Sequence, residues 1–144
     1  MIFKKFRIDI PGLEPNAYIF ACEETRKATL VDGAQFTDEM RQFLNQHKLK
    51  LRKVFITHDH YDHTAAIAEA IESHGAAIYS ATGHAGGFLT RQVGQGDTFR
   101  CGEVEGHVIE TPGHTPDGIS LVIEPGFTPR LRPDEPTGLD YYPL

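Results

Sequence analysis

Hydrophobic and polar positions alternate at the start of the chain, over residues 3–10, as expected of a strand with one buried face. A Pro-Gly pair follows and favours a turn. Two further strands are predicted at 16–22 and 28–31, separated by a polar turn and closed by an Asp-Gly pair. The pattern therefore predicts an antiparallel meander of three strands.

Helical periodicity follows the meander. Thr37 is a suitable N-cap because acidic residues occupy the next two positions, where the helix dipole favours negative charge, and this helix is predicted to end near Lys48. A short strand at 53–57 precedes a second helix over 64–74, which Gly75 would end. The chain thus runs from a strand through a histidine-rich loop into a helix.

The last predicted strands are at 76–79, 104–110 and 118–124. From residue 125 onward the pattern disappears, since five of the nine prolines lie among the last twenty residues. Proline cannot donate a backbone hydrogen bond within a sheet. We therefore expect 125–144 to be a proline-rich irregular tail without a packed strand or helix.

Composition narrows the possible partners and locations. A length of 144 residues fits one domain, and no apolar run is long enough for a membrane span or a signal peptide, so a cytoplasmic protein is expected. The formal charge of −6 disfavours nucleic acid as a partner. Cys22 and Cys101 lie far apart without CxxC spacing and are expected to be reduced and partly buried.

The densest cluster of metal-ligand side chains is Thr-His-Asp-His-Tyr-Asp-His-Thr at 57–64. In an extended backbone His58, His60 and Asp62 point the same way, whereas His63 faces aside, so two neighbouring metal positions are possible. A polar loop that holds histidine by chance is the alternative. From this composition its probability is roughly one or two in a thousand, so we interpret the segment as a metal site.

Three neutral imidazoles around an open coordination position are typical of a catalytic zinc site, and iron or manganese also accept imidazole. His114 is the candidate third histidine, because the turn before it leaves its side chain at the end of a strand. His47 and His74, near the ends of predicted helices, are interpreted as structural. His84 lies in a loop that could border a substrate pocket.

The run from His58 to His63 resembles the HxHxDH signature of the metallo-β-lactamase superfamily. The segments around Asp32 and His114 resemble two further motifs of that family in order and spacing. The resemblance extends over about residues 1–124. Within the superfamily, the order and spacing of these motifs are similar to those of glyoxalase II-like (hydroxyacylglutathione hydrolase-like) thioesterases and of persulfide dioxygenases. It implies an α+β fold, the αββα sandwich. Residues 1–124 would form the N-terminal half of this sandwich and the start of its second half, and so an incomplete domain.

The resemblance also implies roles for individual residues. His58, His60 and His114 would bind one metal ion, Asp62 and His63 would contribute to a second, and Asp32 would orient ligands. The metal would be zinc, one or two ions, with iron or manganese possible. A metal-bound hydroxide would hydrolyse a small-molecule thioester, ester or lactone, with Asp62 positioning the water and accepting its proton.

The chain departs from the family pattern after His114. Members continue with a strand ending in a Gly-Asp pair and supply another histidine, whereas here the nearest equivalent is Gly138-Leu139-Asp140 and no histidine follows. We therefore expect a C-terminally truncated domain with weak hydrolysis. Apolar sheet surface left exposed by the truncation would favour association of chains, so a homo-oligomer is possible. A mononuclear iron persulfide dioxygenase-like enzyme and an inactive metal-binding fragment or assembly partner remain alternatives.

Overall fold

The computed structural model describes residues 1–8, 16–32, 35–57, 64–85, 87–111, 118–124 and 140–142. Two helices occur in these ranges, α1 (Asp38–Gln46) and α2 (Thr64–His74). The strands are β1 (Ile2–Arg7), β2 (Asn16–Ala21), β3 (Lys27–Val31), β4 (Lys50–Ile56), β5 (Ala77–Ser80), β6 (His84–Ala85), β7 (Phe88–Leu89), β8 (Arg91–Gln92), β9 (Thr98–Cys101), β10 (Val104–Glu110), β11 (Ile119–Glu124) and β12 (Asp140–Tyr142).

The larger sheet has six strands in the order β1-β2-β3-β4-β5-β8. The first three strands pair antiparallel, which confirms the predicted meander. From β3 onward the pairing is parallel, so β3, β4, β5 and β8 all end at the same edge of the sheet. This carboxyl edge is where ligands bind in sheets of parallel strands.

Both helices cover one face of the larger sheet. Met40, Phe43 and Leu44 of α1 and Ile67 of α2 are buried in one hydrophobic core with alternating side chains of the strands. The Thr37 side chain accepts a hydrogen bond from the Met40 amide at 3.2 Å, so the predicted N-cap is confirmed. Within the described ranges, neither helix is long and apolar enough to cross a membrane.

A second sheet, in the order β12-β11-β10-β9, packs on the other face of the first. A second core lies between the two sheets and centres on Phe55. The Phe55 ring stacks on Tyr79 at 5.0 Å between centroids and meets Phe99 of the second sheet at 4.8 Å. The described chain therefore has three layers, which are helices, sheet and sheet.

The structure adds strands that the sequence pattern did not predict. β9 forms the edge of the second sheet, beside β10. The expectation of no packed strand after residue 124 is wrong at β12, which pairs with β11. The proline-free Asp-Tyr-Tyr segment can donate to an open edge, and tyrosine favours strands. The rest of the predicted tail, 125–139 and 143–144, lies outside the described residues.

Candidate functional site

The predicted metal ligands His58, His60, Asp62, His63 and His114 lie outside the described residues. The residues on either side of both segments are described, and they determine where the segments begin and end. Within the described part of the chain, no three His, Cys, Asp or Glu side chains cluster closely enough to hold a metal ion. The flanking residues therefore define where the site lies in the fold.

Asp32 follows β3 and is buried, with only 5% of its surface exposed. Its Oδ1 accepts a hydrogen bond from the Thr57 amide at 2.8 Å, and its Oδ2 accepts one from the Thr57 hydroxyl. The Asp32 backbone has a φ of 56°, in the left-handed region that few residues other than glycine adopt. Its amide donates to Phe55 O at 3.0 Å. These bonds fasten the residue that directly precedes His58 to the end of the neighbouring strand.

Thr57 also connects the first sheet to the second. Its carbonyl oxygen accepts a hydrogen bond from the Ile119 amide at 3.0 Å. The Thr111 amide in turn donates to Gly118 O at 2.9 Å, and the Thr111 and Ser120 hydroxyls lie 2.9 Å apart. Thr57, which precedes 58–63, therefore lies next to Ile119, close to the described residues that flank 112–117.

A cavity of about 570 Å³ opens beside Gly118 and Ile119. We call it the Ile119 cavity; its lining residues are Ala81, Thr82, Gln92, Val93, Gly94, Asp97, Glu110, Gly118 and Ile119. Several of them follow the carboxyl ends of β5 and β8, at the edge where Asp32 and Thr57 follow β3 and β4. The cavity therefore lies at the carboxyl edge of the larger sheet, the position at which sheets of parallel strands bind small molecules.

Acidic side chains in the Ile119 cavity are held by backbone amides. Asp97 Oδ2 accepts a hydrogen bond from the Gly94 amide at 2.8 Å. Gln95 and Glu110 bond reciprocally, because each side chain accepts from the other residue's amide, at 2.7 and 3.4 Å. The sequence pattern predicted neither Asp97 nor Glu110 as a site residue. No local pattern marks Glu110, since it reaches the cavity through pairing of distant segments.

The helix that follows the histidine-rich segment is tethered to α1. Arg41 donates from Nε to Glu69 Oε2 at 2.8 Å and from Nη2 to Glu69 Oε1 at 2.5 Å. The two residues thus form a bidentate ion pair between the helices. The His74 ring stacks on Phe36 at 5.3 Å, and the His47 ring contacts Phe43 at 4.6 Å. These contacts support the structural interpretation of both histidines.

Tyr18 lies near the same carboxylate as Thr57. Burial raises the pKa of the Tyr18 phenol, and the negative charge of Asp32 raises it further. Both effects keep the phenol neutral near pH 7. Tyr18 therefore adds no second negative charge beside Asp32.

Residues 10–126 match the Metallo-beta-lactamase superfamily, and the chain belongs to that family. The resemblance seen in the motifs is thereby confirmed, and so is the α+β fold. Solved structures agree: ETHE1 from Myxococcus xanthus superposes with a TM-score of 0.70 at 31% identity, covering 85% of this chain and 54% of that one. A metallo-β-lactamase from Staphylococcus aureus superposes with a TM-score of 0.71 at 24% identity, and the match covers 85% of this chain and 36% of that one. At this identity the match supports the fold alone.

Among curated proteins, the chain is similar to hydroxyacylglutathione hydrolases. The chain is 36% identical over 112 residues to the hydroxyacylglutathione hydrolase of Idiomarina loihiensis, covering 76% of this chain and 44% of that protein. It is 33% identical over 125 residues to the hydroxyacylglutathione hydrolase of Hahella chejuensis, covering 86% and 48%. The chain thus spans about half the length of the curated relatives it matches.

Proposed function

We propose that this chain carries the metal-binding half of a hydrolase for thioesters or related esters and lactones. The observation that carries the proposal is the hydrogen-bonded connection from Asp32 through Thr57 to Ile119. It joins the ends of both histidine-bearing segments at the wall of the Ile119 cavity. A cavity beside a cluster of imidazoles and carboxylates is suited to hydrolysis of a small substrate.

The donor set fits a divalent transition metal. His58, His60 and His114 would hold one ion, and Asp62 with His63 would contribute to a second, most suitably zinc, with iron or manganese as alternatives. The buried Asp32 carboxylate supports this reading, because buried carboxylates commonly orient the groups around a metal site. When bound, the metal would lower the pKa of a water molecule and polarise the substrate carbonyl.

The remaining steps belong to the chain's own residues. Asp62 would accept the proton of the attacking water and orient that water toward the carbonyl carbon. The bonds from Asp32 to Thr57 would keep the following segment in place during the reaction, which matters because small misplacements of reacting groups slow catalysis strongly. The Ile119 cavity would hold the part of the substrate next to the scissile bond.

The names of the relatives suggest the test substrate, a hydroxyacylglutathione. Thiol release is measured with zinc, iron and manganese, for this chain and for a chimera that continues with the remaining part of the Idiomarina loihiensis relative. We expect slow turnover by the chain and faster turnover by the chimera, since the relatives have about twice the matched length. Asp62→Asn should slow release by about a hundredfold or more.

Two outcomes would contradict the proposal. One is the absence of metal-dependent thiol release from both proteins. The other is release that is unchanged in the Asp62→Asn variant of the chimera. His47→Gln serves as the matched control, because His47 packs against Phe43 at the end of α1.

A second candidate is a mononuclear iron enzyme that oxidises a persulfide. Two observations support this second candidate. The chain superposes on ETHE1 from Myxococcus xanthus, and its sequence motifs also resemble those of persulfide dioxygenases. The ligands would be His58, His114 and a later aspartate. Oxygen consumption with a persulfide substrate and iron, without thioester hydrolysis, would support this function over the first.

A further inference from the structure

A second pocket lies between the two sheets, at the edge opposite the histidine-bearing segments. Its volume is about 520 Å³. We call it the Lys53 pocket; it is lined mainly by Lys27, Thr29, Arg52, Lys53, Arg100 and Cys101. Lys27 begins β3 and Asp32 follows its end, so the two sites are roughly 16 Å apart along the strand.

A β-bulge concentrates positive charge in this pocket. Ala28 pairs with Leu51, but the next residue, Thr29, pairs with Lys53, so Arg52 is the extra residue of the bulge. A bulge redirects side chains from their regular alternation. Both Arg52 and Lys53 consequently line the pocket.

The cations of the pocket are incompletely compensated. Arg100 pairs with Glu105, whereas Lys27, Arg52 and Lys53 form no ion pair with any residue in the described ranges. The Lys53 ammonium donates to Arg100 O. Burial lowers the pKa of Lys53; the Cys101 side chain partly opposes this, and the positive charges of Lys27 and Arg91 lower the pKa further. An anion in the pocket would relieve this repulsion.

A buried hydroxyl belongs to one of the residues that line the same pocket. Thr29 is fully buried, and its Oγ1 has no hydrogen-bond partner among the residues that the structure describes. The neighbouring Cys101 thiol already donates to Lys27 O at 3.0 Å, and sulfur is a weak acceptor. Burial raises the pKa of the Cys101 thiol, and the opposing contacts with the Thr29 side chain and with Lys53 lower it by less, so the thiol stays neutral and does not supply the missing negative charge. A ligand oxygen would satisfy the Thr29 hydroxyl.

We propose that the Lys53 pocket binds a phosphate group, with Lys27, Arg52 and Lys53 compensating its charge and Thr29 donating to one of its oxygens. Ammonium, guanidinium and hydroxyl donors around one cavity are the groups that bind phosphate. The phosphate could be free or part of a phosphorylated small molecule, because the pocket is larger than inorganic phosphate requires.

Binding is tested by isothermal titration calorimetry on the 144-residue chain, with inorganic phosphate in one arm and AMP or ribose 5-phosphate in another. Sodium chloride at matched ionic strength controls for screening. Saturable binding of either probe supports the site, and tighter binding of the ester than of phosphate identifies a phosphorylated small molecule as the ligand. No binding beyond the salt controls would overturn the proposal.

Variants connect the binding to the pocket. Lys53→Gln and Arg52→Gln should each weaken binding by about tenfold, the loss of one charge-assisted bond. Lys5→Gln, an exposed position on β1, is the matched control and should bind as the parent does. Equal affinity in Lys53→Gln, Arg52→Gln and the control would overturn the assignment.

Thr29→Val separates binding from folding. It removes a buried hydroxyl that has no partner, so the unliganded variant should unfold at the same or a higher temperature. Phosphate affinity should nevertheless fall. Unchanged affinity in this variant would exclude Thr29 as a donor, and with it the site as proposed. Metal content and thiol release do not enter these measurements, so the result is independent of the proposed hydrolase.

Discussion

Asp32 and Thr57 are 25 residues apart in the sequence, and the Asp32 carboxylate accepts hydrogen bonds from both the amide and the hydroxyl of Thr57. The amide bond is 2.8 Å long and buried. Thr57 directly precedes the histidine-rich segment. The pair therefore fixes the start of the proposed metal-binding segment relative to the end of β3.

Asp32→Ala should destabilise the protein by about 1–3 kcal/mol, because the Thr57 amide is left buried without this acceptor. Metal affinity should fall as well, since the following segment is less well positioned. Thr57→Val retains the amide bond and should have a smaller effect, while Thr57→Ser should behave as the parent. Urea denaturation and a chelator competition assay measure the two effects. Lower stability with unchanged metal affinity in Asp32→Ala would limit Asp32 to a folding role.

Metal analysis after dialysis should find close to one tightly bound transition-metal ion per chain. In the proposed assignment, three histidines would bind the first ion, whereas only Asp62 and His63 would contribute to a second. The double variant His58→Ala/His60→Ala should bind none, and His47→Gln/His74→Gln, whose rings pack on Phe43 and Phe36, should bind as the parent does. Two tight equivalents, or full binding by the first double variant, would refute this assignment.

Acid should weaken the contact between the helices. Hydrogen bonding to Arg41 lowers the pKa of Glu69 from its ordinary value of 4.5. A carboxyl group with a lowered folded-state pKa stabilises the protein above its unfolded pKa, and this contribution is lost as the pH falls through the folded-state value. The melting temperature of the parent should exceed that of Glu69→Gln at pH 7 by roughly 1–3 °C, and the difference should shrink below pH 4.5.

Glu72→Gln is the control for that experiment, because Glu72 is exposed on the same helix and forms no ion pair with the residues that the structure describes. Its melting curve should follow that of the parent at every pH. A difference between parent and Glu69→Gln that stays constant from pH 7 to pH 3 would show that the effect does not depend on the charge of Glu69.

Gly106→Ala should destabilise the second sheet. A Cβ at this position would lie 2.4 Å from Val122 O and 2.6 Å from Phe99 Cζ, and the first of these is backbone. Overpacking of this kind costs about 1–3 kcal/mol. Gly94→Ala is the control, since the nearest atom to its Cβ would be Glu110 Oε1 at an ordinary 3.5 Å. Equal denaturation midpoints for the two variants would contradict the predicted crowding.

Local patterns along the sequence determined the elements that form the helical layer. The second helix was predicted at 64–74 and occurs at Thr64–His74, and the Thr37 cap was predicted together with its helix. Capping and helical periodicity depend on residues three or four positions apart, so they are visible in the sequence. Four of the five candidate ligands were likewise visible, because they are concentrated in one short segment, but their geometry stays a prediction.

Only the tertiary structure decided which distant residues meet. β12 was missed because it forms by pairing with an open edge of β11 rather than through an alternating pattern of its own. The bond from Thr57 O to Ile119, the Ile119 cavity and the Lys53 pocket each combine segments from both sheets. Strand order and packing between sheets are set by long-range burial and hydrogen bonding, which local periodicity does not encode.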